Sequence, residues 1–149
     1  MNLAIIPARS GSKRIKNKNI KLFNGKPIIA WTIKTAIKSK LFDKVIVSTD
    51  SEKIAKIAEY FGAEIPFLRS KKISDDKTNV GDVVRDTLYF FKKKNININH
   101  ACLLYATAPF IDARDLKKGF KKIKNSKKLD FVLSITKFNT SYHRALRVV

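Results

Sequence analysis

Apolar residues along this chain fall into two kinds of pattern, and the two alternate. Leu3-Ala4-Ile5-Ile6 is a short unbroken run that stops at Pro7. A residue that cannot donate to a sheet ladder suits the exit of a buried strand. Val45-Ile46-Val47, Ile65 to Leu68, Ala101 to Tyr105 and Phe131-Val132-Leu133-Ser134-Ile135 are further runs of the same kind. Between them the period lengthens. Ile29, Ile33, Ala36 and Ile37 recur at helical spacing behind Pro27, a residue suited to a helix start. Ile54, Ile57, Ala58 and Phe61 form a second stripe over a helix from Glu52 to Tyr60, with Ser51 as its cap and Gly62 as its stop. Val80, Val83, Val84, Thr87, Leu88 and Phe91 mark a third helix, and Leu116, Phe120 and Ile123 a fourth.

Unbroken apolar strands are covered on both faces, and strands that alternate with helices build a mostly parallel sheet. The expected fold is therefore α/β, with helices on both faces of the sheet. No linker, repeat or change of composition divides the sequence, so residues 1–149 read as one domain. Ligands of such sheets bind beyond the carboxyl ends of the strands. That rule directs attention to residues 8–19, 48–50, 69–79 and 106–110.

The 149 residues include 32 Lys and Arg against 12 Asp and Glu, a net charge of +20, and are 44% apolar. That is too much apolar material for a disordered basic tail. No apolar run approaches the ~20 residues that cross a bilayer, and Met1 to Pro7 lacks the basic start and cleavage site of a secretion signal. A cytoplasmic location is the expectation. The single Cys102 cannot form an internal disulfide, and His100 and His143 lack the partners of a zinc site. Both His100 and Cys102 read as packing residues. The charge attracts phosphates and makes nucleic-acid binding a rival. However, the cations are spread through every predicted element, as in Lys92-Lys93-Lys94-Asn95-Ile96, and do not interleave with exposed aromatics as a stacking surface would.

Behind the first strand, Arg9-Ser10-Gly11-Ser12-Lys13-Arg14 combines a glycine, two hydroxyls and three cations in six positions. Backbone N–H groups and serine hydroxyls can meet phosphate oxygens there while Arg9 and Lys13 neutralise them. The spacing is neither that of a Walker loop nor that of a dinucleotide turn. Asn24-Gly25 closes the polar stretch with a turn. Asp50 is open to three readings: metal ligand, helix cap, or a residue that orients the loop.

Ile6-Pro7-Ala8-Arg9-Ser10-Gly11-Ser12-Lys13-Arg14-Ile15-Lys16-Asn17-Lys18-Asn19 resembles the N-terminal signature of the acylneuraminate cytidylyltransferase family, the CMP-sugar synthetases that activate sialic-acid-like sugars. Leu22 to Pro27, Leu41 to Asp50, Phe67-Leu68-Arg69 and Ser74-Asp75-Asp76 follow in the family's order, and the resemblance covers residues 3 to about 148. Tyr105-Ala106-Thr107-Ala108-Pro109-Phe110 and His143-Arg144-Ala145-Leu146 look most like the pseudaminic acid branch. N-acetylneuraminate, legionaminate and 3-deoxy-manno-octulosonate remain as other sugar acids, and a non-catalytic nucleotide binder as another outcome.

The resemblance implies a Rossmann-like, GT-A-like nucleotidyltransferase fold and a reaction in which CTP and a nine-carbon keto-sugar acid give a CMP-sugar and pyrophosphate. It implies Mg²⁺ as cofactor and a homodimer, with no membrane partner. Carried over residue by residue, Arg9, Ser12 and Lys13 meet the triphosphate, with Lys18 and Asn19 closing the far side of the loop. Arg9, Lys13 and Lys18 are the expected catalytic cations. Ala8 and Arg69 match positions at the cytosine, and Asp76 and Thr78 match a segment over the base. Tyr105, Thr107 and Pro109 face the sugar, and Arg144 matches a position at its carboxylate. No metal ligand is assigned within residues 1–149. Family members continue past the equivalent of Val149 into a dimerisation arm and the acidic pair that holds Mg²⁺, so the 149 residues alone are expected to turn over weakly or not at all.

Overall fold

The computed structural model describes residues 1–126 and 128–136. In chain order the elements are β1 (Asn2–Pro7), the short strands β2 (Leu22–Phe23) and β3 (Lys26–Pro27), α1 (Ile28–Ser39), β4 (Lys44–Ser48), α2 (Glu52–Tyr60), α3 (Val80–Lys93), β5 (His100–Leu103) and α4 (Ala113–Lys124). β1, β4 and β5 form a parallel sheet in the order β4-β1-β5. Ile5 of the central strand stands opposite Ile46 on one side and Leu103 on the other.

The alternation of side chains along β1 sorts the core into two layers. Ala4 and Ile6 join Val45 and Val47 under Ile29, Ile33 and Ala36 of α1 and Ile54 and Ala58 of α2. Leu3 and Ile5 join Ile46 on the other face, where α3 supplies Phe91 with Val84 and Leu88. Leu3, Ile5, Ile6, Ile29 and Ile33 lose all their exposure. Each such side chain contributes about 1.5–3 kcal/mol of transfer free energy. Both faces of the sheet are covered, which is why its strands read as unbroken apolar runs. Ile37, placed on the apolar stripe by spacing, is 45% exposed instead.

Local chemistry sets the ends of the elements. Ser51 Oγ accepts from Ile54 N at 3.4 Å and caps α2, and Gly62 takes φ +93° just past it. A Cβ at Gly62 would also lie 3.0 Å from Ile37 Cδ1. Asn24 and Gly25 both have positive φ, as a two-residue hairpin turn requires, and this turn joins β2 to β3.

Two expected strands do not form. At Ile65 to Leu68 the pairing stops at a single bridge between Ile46 and Glu64, because Pro66 cannot carry the ladder onward. Phe131 to Ile135 has no regular structure and is exposed, since the run finds no ladder partner among the described residues. The third corrected boundary lies at Tyr105, placed in a strand by its sequence. β5 ends at Leu103, and Tyr105 begins a turn in which Ala108 N donates to its carbonyl at 3.2 Å. No helix among the described residues is long and apolar enough to cross a membrane.

Candidate functional site

At the carboxyl end of the sheet lies one cleft, walled by the loop after β1, the segment from Arg69 to Val80 and the turn after β5. The first wall is the basic loop. Ala8 N donates to Ser48 O at 2.9 Å, which extends the β1–β4 ladder by one bond, and its methyl is buried in the core. Ser10 then donates twice to Asp50, from its N to Oδ1 and from its Oγ to Oδ2, both at 2.8 Å. Of the three readings of Asp50 this is the orienting one, and the cap of α2 is Ser51. Ser12 N closes back on Ser10 O at 2.8 Å, and Asn17 at φ +55° turns the chain into a short 3-10 turn at Lys18–Ile20. Within that turn Asn19 is buried, and its Nδ2 donates to Arg9 O at 2.9 Å. Asn19 thus ties the two ends of the loop together.

The second wall follows α2 and docks on the end of β4. Arg69 N donates to Thr49 O at 2.7 Å, and the Arg69 side chain is buried, 5% exposed. Its Nε donates to Ser74 Oγ at 3.0 Å, and Ser74 Oγ in turn donates to Ser70 O at 2.8 Å. Burial lowers the pKa of the guanidinium, Asp50 and Asp86 oppose that, and Arg9 adds to it. Asp75 Oδ1 accepts from Thr78 N at 2.7 Å, Thr78 Oγ1 at 2.5 Å and Lys77 N at 3.1 Å. These bonds, led by that from the Thr78 hydroxyl, hold the Asp75 carboxyl below its ordinary range. Asp76 crosses the cleft, where one of its oxygens pairs with Lys13 Nζ and the other with Arg9 Nη2. Lys13, then Arg9, keep the Asp76 carboxyl below the usual carboxylate pKa.

The third wall follows β5. Tyr105 is 60% exposed, Ala106 is buried, and Thr107 lies between. This wall depends on a residue that the sequence did not single out. Thr32 is fully buried on α1, and its Oγ1 donates to Tyr105 O at 3.1 Å. A threonine on the core side of an apolar helix is the available signal for such a tether, because a buried hydroxyl needs a partner.

Arg9, Ser12, Lys18, Asn19, Arg69, Thr78, Tyr105 and Thr107 all line this cleft. Lys13 and Asp76 meet at its mouth, and Ala8 lies beneath it. Arg144 lies outside the described residues. His100 and Cys102 lie elsewhere, with the His100 ring against Phe120 and the Cys102 thiol pushed up by burial. The cavity measures about 170 Å³, against the ~300–1,000 Å³ usual for small-molecule sites. Asp75 and Thr78, from the loop that carries Asp76, line it together with the cations.

Mg²⁺ fits these residues poorly. No group of three or more metal-ligating side chains occurs among the described residues. The nearby carboxylates are also engaged: Asp50 by Ser10, Asp75 by Thr78 and Asp76 by Arg9 and Lys13.

A cytidylyltransferase family model matches residues 3–148. The chain belongs to that family. It is 43% identical over 145 residues to a pseudaminic acid cytidylyltransferase of Campylobacter jejuni, an alignment that covers 97% of this chain and 62% of the relative. It is 44% identical over 108 residues to a CMP-N,N'-diacetyllegionaminic acid synthase of Legionella pneumophila, covering 72% of this chain and 47% of that protein. Among solved structures, a CMP:2-keto-3-deoxy-manno-octonic acid synthetase complexed with CTP superposes with a TM-score of 0.72 at 21% identity, over 86% of this chain and 49% of that one. The expected nucleotidyltransferase fold, an α/β architecture around a parallel sheet, is therefore the one found. This chain spans 62% of the length of the Campylobacter relative.

Proposed function

We propose that this cytidylyltransferase domain binds CTP and transfers its CMP unit to a nonulosonic acid of the pseudaminic type, releasing pyrophosphate. The carrying observation is the placement of Arg9 and Lys18, on a loop braced behind β1, in the same cleft as the buried Arg69. Cations on one wall suit a triphosphate, and a buried planar guanidinium on the other suits the hydrogen-bonding edge of a base. Tyr105 and Thr107 on the third wall leave the acceptor sugar the open side of the cleft.

In this reading the anomeric hydroxyl oxygen forms a bond to the α-phosphorus. The bond from that phosphorus to the leaving oxygen breaks, and pyrophosphate departs with its electron pair while the hydroxyl proton passes to solvent. Charge accumulates on the leaving oxygens. Arg9, Lys13 and Lys18 are the groups of this chain assigned to meet it, since cations aimed at a leaving group stabilise the charge that develops there. CTP enters as its magnesium complex, and no step is assigned to the ion.

The 43% identity to the pseudaminic enzyme over almost the whole chain supports the choice of sugar. The legionaminic relative makes that acid the first alternative in the test. Two copies acting together in the cytoplasm, where CTP is made, belong to the same proposal. Exposed Leu22 and Phe110 offer apolar surface for pairing.

The test has two arms. CTP is expected to raise the melting temperature of the chain more than ATP does, because a ligand held only by the folded state stabilises it. A protein that carries this domain, given CTP, Mg²⁺ and a panel of nonulosonic acids, is expected to yield a CMP-sugar detectable by mass. Indifference to CTP, combined with salt-sensitive affinity for DNA or RNA, would replace this reading with nucleic-acid binding.

A further inference from the structure

We infer that Asp50 is a positioning residue for the nucleotide site, holding the basic loop in shape without touching the ligand. The inference rests on the CTP-binding reading above and deepens it.

The geometry begins where the β1–β4 ladder ends. Pro7 stands opposite Ser48, and Ala8 N makes the next bond, to Ser48 O. The two chains then part: β4 runs on through Thr49 to α2, and β1 opens into the loop. A backbone carbonyl no longer reaches the loop, and the Asp50 side chain takes over. Its two oxygens accept from Ser10 N and Ser10 Oγ at 2.8 Å each. Because Ser12 N closes on Ser10 O, fixing Ser10 fixes the turn that carries Gly11, Ser12 and Lys13. A loop of small, exposed residues is thereby held in one shape before a ligand arrives, which lowers the ordering cost of binding.

The same short segment holds the opposite wall. Thr49 O accepts from Arg69 N at 2.7 Å, one residue before Asp50. The Asp50 charge also offsets part of the cost of burying the Arg69 guanidinium. Asp86 on α3 assists from behind, and one of its carboxylate oxygens is buried with no hydrogen-bond partner among the described residues. Asp50 itself is absent from the cleft lining, as a group that acts through Ser10 should be.

The experiment measures CTP and CMP affinity for the wild-type chain, Asp50→Ala, Asp50→Asn and Ser10→Ala, with melting temperature alongside. Asp50→Ala is expected to weaken CTP about tenfold, the usual effect of losing a hydrogen bond to a charged group. It should weaken CMP much less, because the loop serves the outer phosphates. Asp50→Asn should recover most of the CTP affinity, since an amide can still accept from Ser10 N and donate to Ser10 Oγ. Ser10→Ala should give a smaller loss, and adding it to Asp50→Ala should cost little more, because the two residues act as one unit. A merely structural Asp50 would lower the melting temperature and reduce both affinities by one common factor. That result would overturn the inference, as would CTP binding within twofold of wild type in Asp50→Ala. If the wild-type chain binds no CTP, the functional reading itself falls and takes this inference with it.

Discussion

The Asp76 carboxylate is ion-paired to the Arg9 guanidinium, and its second oxygen holds Lys13. The cations expected at the triphosphate thus already grip an oxyanion, supplied by the chain itself. Sequence resemblance assigns Asp76 to a segment over the base, and its carboxylate pairs with the two cations that the proposed reading gives to the phosphate tail. A phosphate tail must displace it. Asp76→Asn is therefore expected to strengthen pyrophosphate and CTP binding about threefold, since an exposed pair of this kind is weak, as isothermal titration would show. Weaker binding would place Asp76 in support of the bound nucleotide. The lowered carboxyl fixes the pH window. The pair is fully formed above the ordinary carboxylate value of 3.8 and is lost as pH falls through the lower folded value. The gain in Asp76→Asn should therefore be flat between neutral and mildly acid pH.

Arg9→Ala and Lys13→Ala should each weaken CTP binding about tenfold, because each removes a charge-assisted contact to phosphate. Neither side chain contributes to the core, and Lys13 is largely exposed. The melting temperature should stay within about 2 °C of wild type. A variant that unfolds yet keeps its nucleotide affinity would remove these residues from the phosphate role.

The β5 wall is expected to depend on Thr32. Thr32→Val keeps the volume and removes the donor to the Tyr105 carbonyl. That carbonyl keeps its bond from Ala108 N, so the loss should be about 1 kcal/mol, read from the urea midpoint at constant slope. If Tyr105 and Thr107 serve the acceptor, the KM for the sugar acid should rise while the KM for CTP stays put. A rise confined to CTP would move these residues to the nucleotide side.

Most of the fold was legible because this sheet is buried on both faces. Leu3 to Ile6 and Val45 to Val47 had to be apolar throughout, and the helical stripes had to face them. The failures share one physical cause: a strand is defined by its partner, and apolarity alone does not supply one. Ile65 to Leu68 met Pro66, and Phe131 to Ile135 met no ladder. The basic loop was legible at the site because its glycine, hydroxyls and cations announce phosphate chemistry locally. Arg69 comes to the cytosine by resemblance alone, since nothing in its neighbours shows that the chain folds it beneath the cleft. The links Asp76–Arg9 and Thr32–Tyr105 span 67 and 73 residues, beyond the reach of any local pattern.

At the start of α4, Asp112 Oδ1 accepts from Arg114 N at 2.7 Å, and the Arg114 guanidinium closes on both carboxylate oxygens. The Arg114 side chain, then its backbone, lower the Asp112 carboxyl to about 2. A depressed folded value means stability that is complete above 3.8 and disappears as pH falls toward 2. Asp112→Ala should accordingly be less stable than wild type at pH 7, with the difference shrinking below pH 4 in parallel urea titrations. A difference independent of pH would assign the whole effect to the neutral cap.

Arg69 separates fold from recognition. The residue is buried, bonded to Ser74 and flanked by Asp50 and Asp86. Arg69→Met removes the buried side chain's bond to Ser74 and the charge beside those carboxylates, a loss of about 2 kcal/mol. Its CTP affinity should fall with its stability, so that variant alone decides little. Arg69→Lys keeps the charge but loses the planar fork and the Nε bond to Ser74, and a lysine cannot match two groups of a base edge at once. Stability should be largely restored in Arg69→Lys while the preference for CTP over UTP drops about tenfold, the order of one good hydrogen-bonded discrimination. Competition between the two nucleotides for the folded protein measures that ratio directly, independent of how much protein is folded. A preserved ratio in Arg69→Lys would move base recognition off this wall, leaving Arg69 as a buried structural residue bonded to Ser74.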